Sequence, residues 1–306
     1  MIGEAFALFS AACFGLAGAA IARGAPDARG DNGAFLSIVL TALLSGLLWL
    51  GMGTHLPWPP DDPAVLMAMG YFVLAGVLST VLGRLAMFRS VALAGAISAS
   101  LFRRLIPVFA GALAFVVLGE TVGAIEAAGM VVVLGSIALV MSEGWRRGRG
   151  RRPGTDAEDL PGKRLGQGYG AASAAFYGGA YVTRKLAMRH VPDAALGALV
   201  GAITGIVWYL LAATVSRRYR ASVLGLVSTT SRWQFVAALS MALGQTSQFF
   251  ALANTDVATV AIIGSTEVFI STYLAAFVLR TERRPSLLVV IASLIATFGV
   301  VLVAVG

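Results

Sequence analysis

The sequence predicts an all-α polytopic membrane protein of ten transmembrane helices, arranged as two inverted five-helix repeats. Three observations predict this fold: the composition, the spacing of the apolar runs and an internal repeat. Of the 306 residues, 58% are hydrophobic and only 12% are charged, whereas soluble domains carry about 25% charged residues. Together with a mean hydropathy of +0.83, this composition excludes a soluble globular protein.

Apolar runs of membrane-spanning length occur ten times. A transmembrane helix needs about 20 mainly apolar residues. Windows of this size predict spans at 3–22, 33–53, 64–88, 96–118, 122–142, 167–188, 194–215, 233–253, 257–279 and 285–305. The intervening stretch 143–166 contains seven Lys or Arg residues and has the composition of a solvated linker. We therefore expect a five-helix repeat over 1–142, a linker over 143–166 and a second repeat over 167–306.

The basic residues are distributed asymmetrically between the two ends of the predicted spans. Eighteen of the 23 Lys and Arg residues fall in or beside the odd-numbered connections. Because cytoplasmic loops carry the excess of Lys and Arg, this places the linker in the cytoplasm and both termini outside. The net charge of +8 is accordingly a topology signal, and we expect no nucleic-acid partner.

The two halves of the chain resemble each other. The stretch 10–15, SAACFG, aligns with 173–178, SAAFYG, at an offset of 163 residues, and later matches recur at offsets of 159 and 160. Since each half has an odd number of predicted spans, the second half enters the membrane with opposite polarity. Inverted repeats are typical of secondary transporters, whose substrate site lies near the midplane.

Residues 107–139, PVFAGALAFVVLGETVGAIEAAGMVVVLGSIAL, have a Pro midway along the fourth span, Leu-Gly-Glu at its end and a glycine-containing fifth span. This pattern resembles the drug/metabolite transporter superfamily, specifically its tandem EamA-type domain. The second half departs from it, because Glu267 stands at the position of the Pro and residues 279–282, LRTE, replace Leu-Gly-Glu. The resemblance implies a basket of ten helices that exports or imports small metabolites.

Three charged residues are predicted near the bilayer midplane, where each costs about 2.5 to 3.5 kcal/mol on translocon scales. Arg103 and Arg104 lie about 12 to 13 Å deep in the fourth span, and Glu267 lies about 15 Å deep in the ninth. One arginine could pair with Glu267, and the sequence does not decide which. The pair is either a structural salt bridge or part of a substrate site, where the surplus positive charge would favour an anion or a zwitterion.

Neutral polar side chains supply further candidates for substrate binding. Gln245 and Gln248 share a helix face by their i, i+3 spacing, and Tyr177 and Tyr181 share one by their i, i+4 spacing. Ser98 precedes the arginine pair in the fourth span. By contrast, Arg184 and Lys185 are expected to be interface anchors near the outer end of the sixth span, and the alternative is that they capture an anion at the outer mouth.

We therefore expect a secondary transporter of the inner membrane that moves a small anionic or zwitterionic metabolite, such as an amino acid or an organic acid, by alternating access. One alternative is a proton-coupled exporter of cationic or lipophilic drugs, with Glu267 as the proton-exchanging carboxylate. Another is a non-transporting membrane scaffold. We expect no enzymatic activity, since the phosphate-loop, zinc-protease and serine-hydrolase motifs are absent. We also expect no metal site and no cofactor, because one Cys and two His residues supply too few ligands.

Overall fold

A computed structural model describes residues 1–24, 33–53, 62–149, 162–226, 230–280 and 284–305. Within these ranges, the side chains of residues 95–101, 103, 141, 143–149 and 163 are outside the description. The described residues are almost entirely helical and contain no β-strand. The predicted all-α polytopic membrane fold is thereby confirmed.

The helices in chain order are α1 (Ile2–Gly24), α2 (Ala34–Met52), α3 (Pro63–Gly76), α4 (Arg84–Arg103), α5 (Ile106–Leu113), α6 (Ala124–Arg149), α7 (Lys163–His190), α8 (Ala194–Val215), α9 (Arg217–Leu224), α10 (Arg232–Asn254), α11 (Val257–Ser265), α12 (Glu267–Tyr273) and α13 (Leu287–Val305). Three π-helical segments extend or join them: Val77–Gly83, Ala114–Leu118 and Leu274–Val278. In the described part of the chain, seven helical runs are long and apolar enough to cross a membrane, and 106–118 and 124–140 are shorter apolar helices.

Local sequence signals explain where several helices begin. Asp62 accepts a hydrogen bond from the amide of Ala64 at the start of α3, and Asp193 accepts one from Leu196 at the start of α8. The side chains of Ser231 and Gln234 form a reciprocal capping box at the start of α10. These side chains satisfy amides that have no partner within the helix. In lipid, such amides could not turn to water instead.

Two predicted boundaries differ from the structure. The connection expected between the third and fourth spans, around residues 89–95, is helical and belongs to α4. Similarly, α6 and α7 extend into the predicted linker, so that only residues 150–161 of the linker lie outside the described residues. Hydropathy located both boundaries at charged or small residues, but these residues do not break a helix.

The helices form two compact units. The first unit consists of Met1–Val77, Thr183–Thr255 and Glu267–Arg284, and the second of Leu78–Val182, Asp256–Thr266 and Pro285–Gly306. Each unit therefore contains helices from both halves of the sequence. The division into repeats over 1–142 and 167–306 stays a prediction about the sequence, and the compact units follow a different partition.

The same serine contact occurs once in each unit. In the first unit, the hydroxyl of Ser10 in α1 donates to the carbonyl of Gly244 in α10 at 2.8 Å. In the second unit, the hydroxyl of Ser173 in α7 donates to the carbonyl of Gly83 at 2.7 Å. Ser10 and Ser173 are the aligned serines of the internal repeat, and Gly83 and Gly244 are offset by nearly the same number of residues. The repeat seen in the sequence is thus a repeat of helix contacts.

The fourth and ninth spans are both discontinuous. In the fourth, α4 ends at Arg103 and α5 begins at Ile106, with Pro107 in its first turn. In the ninth, α11 ends at Ser265 and α12 begins at Glu267. Thr266, between them, donates its hydroxyl to the carbonyl of Ile263 at 2.7 Å. Broken helices at membrane depth are characteristic of transporters, where their exposed backbone groups serve binding.

Both discontinuous spans also stop in the same backbone conformation. Gly119 directly follows the π-helical segment Ala114–Leu118 and has φ +69°, and Arg280 lies two residues after Leu274–Val278 and has φ +51°. Glycine adopts this left-handed conformation freely, whereas for another residue it costs roughly 1 to 2 kcal/mol. The second half therefore retains the turn although its sequence lacks the glycine of Leu-Gly-Glu.

The close packing of α6 against α13 predicts a sharp difference between two glycines of α6. A Cβ added at Gly129 would lie 2.7 Å from the carbonyl oxygen of Gly299 in α13, whereas one added at Gly135 meets nothing within 4 Å. Gly129→Ala should therefore lower stability by about 1 to 3 kcal/mol, the usual cost of overpacking. Gly135→Ala is the matched control and should leave stability unchanged or raise it by up to about 1 kcal/mol, because Ala favours a helix more than Gly does. Reversible unfolding in mixed micelles measures both variants, and equal stabilities would contradict the packing.

Candidate functional site

The first unit contains a buried arginine with polar and aromatic neighbours. Arg184 in α7 is only 3% exposed. Its Nη1 donates to Oε1 of Gln248 in α10 at 2.7 Å. Gln248 is itself 5% exposed, so this hydrogen bond is shielded from competition with water.

Gln245 is the second acceptor for the same guanidinium. With its carboxamide oxygen turned toward Arg184, Gln245 accepts from Nη2 at 2.8 Å and from Nη1 at 3.2 Å. Gln245 and Gln248 are one helical turn apart, which brings both side chains to the same face of α10. The predicted pairing of these two glutamines on one face is therefore found, and the group that they face is Arg184.

An aromatic ring completes the setting of the guanidinium. Cζ of Arg184 lies 4.5 Å from the centroid of the Phe249 ring. This ring is 2% exposed and is held in turn by Phe72, at 6.4 Å between centroids. A cation over a desolvated aromatic face is attracted by about 2 kcal/mol. The guanidinium is thus fixed by hydrogen bonds in its own plane and by a ring against its face.

The neighbouring Lys185 has a different role. Its Nζ donates to the carbonyls of Leu252 and Thr255, at 2.8 and 2.9 Å. These carbonyls belong to the end of α10, where the last carbonyls of a helix lack partners within it. Lys185 therefore caps α10 and fixes α7 beside it. This contact also holds the backbone that carries Gln245 and Gln248.

The expectation that Arg184 is an interface anchor is wrong. An interfacial arginine extends its charged end toward water, whereas this side chain is buried and bonded to two glutamines. A sequence signal existed: Tyr177, Tyr181 and Arg184 have the i, i+4, i+7 spacing of one helix face. Distance from the predicted end of a span does not indicate the direction of a side chain.

The midplane candidates have separate places in the structure. The side chains of Ser98 and Arg103 lie outside the described residues. Arg104, partly buried, follows the end of α4 in the second unit, and Glu267, also partly buried, opens α12 in the first unit. The pairing of Glu267 with either arginine stays a prediction.

The two tyrosine candidates belong to the second unit. Tyr177 packs against Gly83: a Cβ added to this glycine would lie 3.1 Å from the tyrosine ring. Tyr181 is partly buried one turn further along α7. Tyr177 therefore has a packing contact beside the Ser173 hydrogen bond, and a substrate contact for either tyrosine stays a prediction.

Two carboxylates of the second unit support the start of α11. Glu120 Oε2 accepts from the amide of Val257 at 3.0 Å, and Glu126 Oε1 accepts from the hydroxyl of Thr259 at 2.6 Å. A carboxylate at a helix N-terminus satisfies a free amide and is favoured by the helix dipole. Glu120 is the acid of the Leu-Gly-Glu motif, so the motif has a structural role: it caps the ninth span. Across the residues that the structure describes, no group of three or more His, Cys, Asp or Glu residues is placed to hold a metal ion.

The comparisons with known proteins agree with this architecture. The EamA-like transporter family matches residues 1–142 and 164–305. The chain belongs to the EamA-like transporter family. A crystal structure of another protein matches over 99% of this chain and 96% of that chain with a TM-score of 0.68 and 16% sequence identity, which shows the shared fold. No curated protein matches the chain.

Membership of this family has direct consequences for function. The protein is a multi-pass membrane transporter of the drug/metabolite transporter type, and its tandem EamA domains were identified correctly from residues 107–139. Family members are transporters and not enzymes. A small-molecule substrate and a lipid bilayer are therefore its partners.

The contact between Arg184 and Gln248 can be measured by a double-mutant cycle. Gln248→Met should destabilise the protein by about 1.5 to 3 kcal/mol, because it removes a buried hydrogen bond to a charged group. In the background of Arg184→Met, the same substitution should cost much less. Unfolding free energies of the four proteins give the coupling energy. Additive effects to within about 0.5 kcal/mol would show that the two side chains are not coupled.

Proposed function

We propose that the protein transports a small organic anion or zwitterion, such as an amino acid or an organic acid, and that Arg184 binds its carboxylate. The observation that carries this proposal is the burial of the Arg184 guanidinium, 3% exposed, between two glutamine oxygens and an aromatic ring. Charged residues inside a membrane protein are costly and mark substrate or ion pathways.

The chemistry of the guanidinium favours a carboxylate. Arginine keeps its charge at any physiological pH and presents five N–H donors in a rigid plane, which matches a carboxylate or a phosphate in two parallel hydrogen bonds. Two of its partners, Gln245 and Gln248, are neutral carboxamides. They orient the fork without contributing negative charge to it.

The same two glutamines suit a zwitterion. When a substrate carboxylate takes the guanidinium, the oxygens of Gln245 and Gln248 can be released from it. Each oxygen can then accept a hydrogen bond from a substrate ammonium group, and each amide nitrogen can donate to a second carboxylate. The cluster therefore supports both an amino acid and a dicarboxylic acid.

Transport is proposed to follow alternating access in the inner membrane, with the linker in the cytoplasm and both termini outside. The discontinuous spans support this cycle, since broken helices supply hinge points and polar backbone groups at membrane depth. Arg104 lies within the break in the fourth span, and Glu267 lies just after that in the ninth. Both are proposed as further contacts of the substrate or of a coupling proton.

A second candidate function follows from Glu267 alone. This carboxylate opens α12 directly after the break at Thr266. An acid at a discontinuity could exchange a proton for a cationic or lipophilic drug. Under this alternative, Glu267 and not Arg184 would determine substrate class.

Replacing Arg184 by Lys separates the two functions. Arg184→Lys keeps the charge but loses the planar fork, so affinity for an amino acid or organic acid should fall by roughly 10 to 100-fold, as expected for one to two charge-assisted hydrogen bonds. Arg189→Lys, at an exposed position of the same helix, is the matched control and should bind as the unmodified protein does. Thermal stabilisation of the purified protein by amino acids, organic acids and cationic drugs provides the measurement.

Gln248→Glu is a complementary variant. A carboxylate installed there should occupy the guanidinium permanently, so the protein should remain stable while anion binding is lost. Unchanged binding in both Arg184→Lys and Gln248→Glu would sink the proposal. If cationic drugs alone stabilised the protein, and Glu267→Gln abolished that effect, the proton-coupled exporter would replace it.

The orientation of the termini is tested by fusion reporters. Eighteen of the 23 basic residues fall on the side of the linker. A reporter that requires the exterior should therefore be active when fused after Gly306, and a reporter that requires the cytoplasm should be inactive there. A pair of reporters, one requiring the cytoplasm and one requiring the exterior, makes the experiment decisive. Cytoplasmic activity at Gly306 together with an external linker would overturn the orientation.

A further inference from the structure

The short helix α9 is held against the end of the first unit by two kinds of contact. It follows α8 after a single extended residue, Ser216. The Arg220 side chain then reaches back, and its Nε and Nη2 donate to the carbonyls of Ala213 and Thr214, both at 3.1 Å. Because the last carbonyls of α8 lack partners within the helix, Arg220 closes this helix and ties α9 to it.

Aromatic packing fixes the direction of α9. The Tyr219 ring lies 5.1 Å from the ring of Tyr209 and 6.5 Å from that of Trp208, both edge to face. Tyr209 lies six residues before the end of α8, which is about 9 Å along the helix axis. Val223 packs against the same apolar cluster. Thus α9 folds back along the membrane helix at the level where the span ends, and does not project into solvent.

Several arginines meet at this end of the unit. Gly24 packs against Trp233, and Gly33 against the carbonyl of Gln234. Phe35 stacks on Tyr209 at 4.9 Å. These contacts bring together the end of α1 and the starts of α2, α9 and α10. The arginines at these helix ends, all exposed, are Arg23, Arg217, Arg218, Arg220 and Arg232.

We infer that this end of the first unit binds the phosphate groups of anionic phospholipids, with Arg217 and Arg218 as the principal ligands. Tyrosine and tryptophan at Tyr219, Tyr209 and Trp208 are the residue types that lie at the headgroup level of a bilayer. Described residues 20–24, 33–38, 209–226 and 230–236 include five Arg and no Asp or Glu. Basic side chains at a membrane surface attract acidic lipids.

The surface favours a lipid over a soluble anion because its arginines are exposed and lie beside exposed apolar side chains. A site for free phosphate would need donors that converge on a buried position, whereas these arginines are exposed and spread along the level where the helices end. Apolar side chains lie directly beside them: Leu224 is 77% exposed and Val215 is 89% exposed. A headgroup can contact the arginines while its acyl chains cover these apolar residues.

Lipid titration of the delipidated full-length protein tests the inference. Short-chain phosphatidylglycerol is added to the protein in neutral detergent, short-chain phosphatidylcholine serves as the neutral lipid, and bound lipid is counted by native mass spectrometry. The variant R217Q/R218Q should lose roughly 10 to 30-fold in affinity for phosphatidylglycerol, since each arginine near an anionic surface contributes about fivefold. The matched control R146Q/R147Q removes an arginine pair that the sequence places on the same side of the membrane but outside the helices α8 and α9, and it should change affinity less than twofold.

Two further arms make the result specific. Tyr219→Ala keeps every charge but removes the ring that packs α9 against α8. It should therefore also weaken phosphatidylglycerol binding, whereas Tyr219→Phe should not. Inorganic phosphate at millimolar concentration should not displace the lipid. Equal losses in the two arginine pairs, equal binding of phosphatidylcholine or displacement by inorganic phosphate would each overturn the inference. An unchanged melting temperature of R217Q/R218Q in neutral lipid confirms that the variant is folded.

Discussion

The architecture depends on one kind of hydrogen bond, which occurs twice. In each, a serine in the first helix of a repeat donates to a glycine carbonyl in the other half of the chain. Lipid tails are as apolar as the side chains, so burial of apolar area drives helix association weakly in a membrane, and close packing with polar contacts replaces it. Ser10 reaches Gly244 and Ser173 reaches Gly83, because the carbonyl of a glycine can be approached closely. Each contact joins the two halves of the chain, and this is why the compact units are drawn from both repeats.

The glycine that ends the same motif, Gly15 in the first half and Gly178 in the second, packs against a discontinuous span. A Cβ at Gly15 would meet Ile270 and the carbonyl of Glu267, and one at Gly178 would meet the amide of Ala110. These contacts fall just after the break in the ninth span and just after that in the fourth. A broken helix loses internal hydrogen bonds, so it needs close neighbours to keep its segments in place. The motif SAAxxG thus both anchors the first helix of a repeat and supports the break, which accounts for its presence in both halves.

The sequence was sufficient for the features that depend on composition and periodicity. The helical membrane fold, the tandem family assignment and the shared face of Gln245 and Gln248 all follow from apolar length, internal similarity and helical spacing. The helical backbone at 89–95 could not be found in this way, because no residue there forbids a helix. Nor could the burial of Arg184: hydropathy counts charges within a window and does not show which neighbour a side chain faces. The neighbour of Arg184 is α10, and the hydrogen bonds of Ser10 and Lys185 hold this helix in place. Both bonds join residues more than 60 positions apart in sequence.

The choice of glutamine around Arg184 bears directly on how a transporter must release what it binds. A carboxylate partner fixed in the protein would form a buried ion pair, and removing one member of such a pair costs about 3 to 5 kcal/mol. A substrate could displace that partner only by meeting this cost. Hydrogen bonds to the neutral oxygens of Gln245 and Gln248 are weaker, and a substrate carboxylate gains more from the guanidinium than they do. Under the proposed function, neutral acceptors would hold the arginine ready between cycles, yield to an anion and take its place again when it leaves.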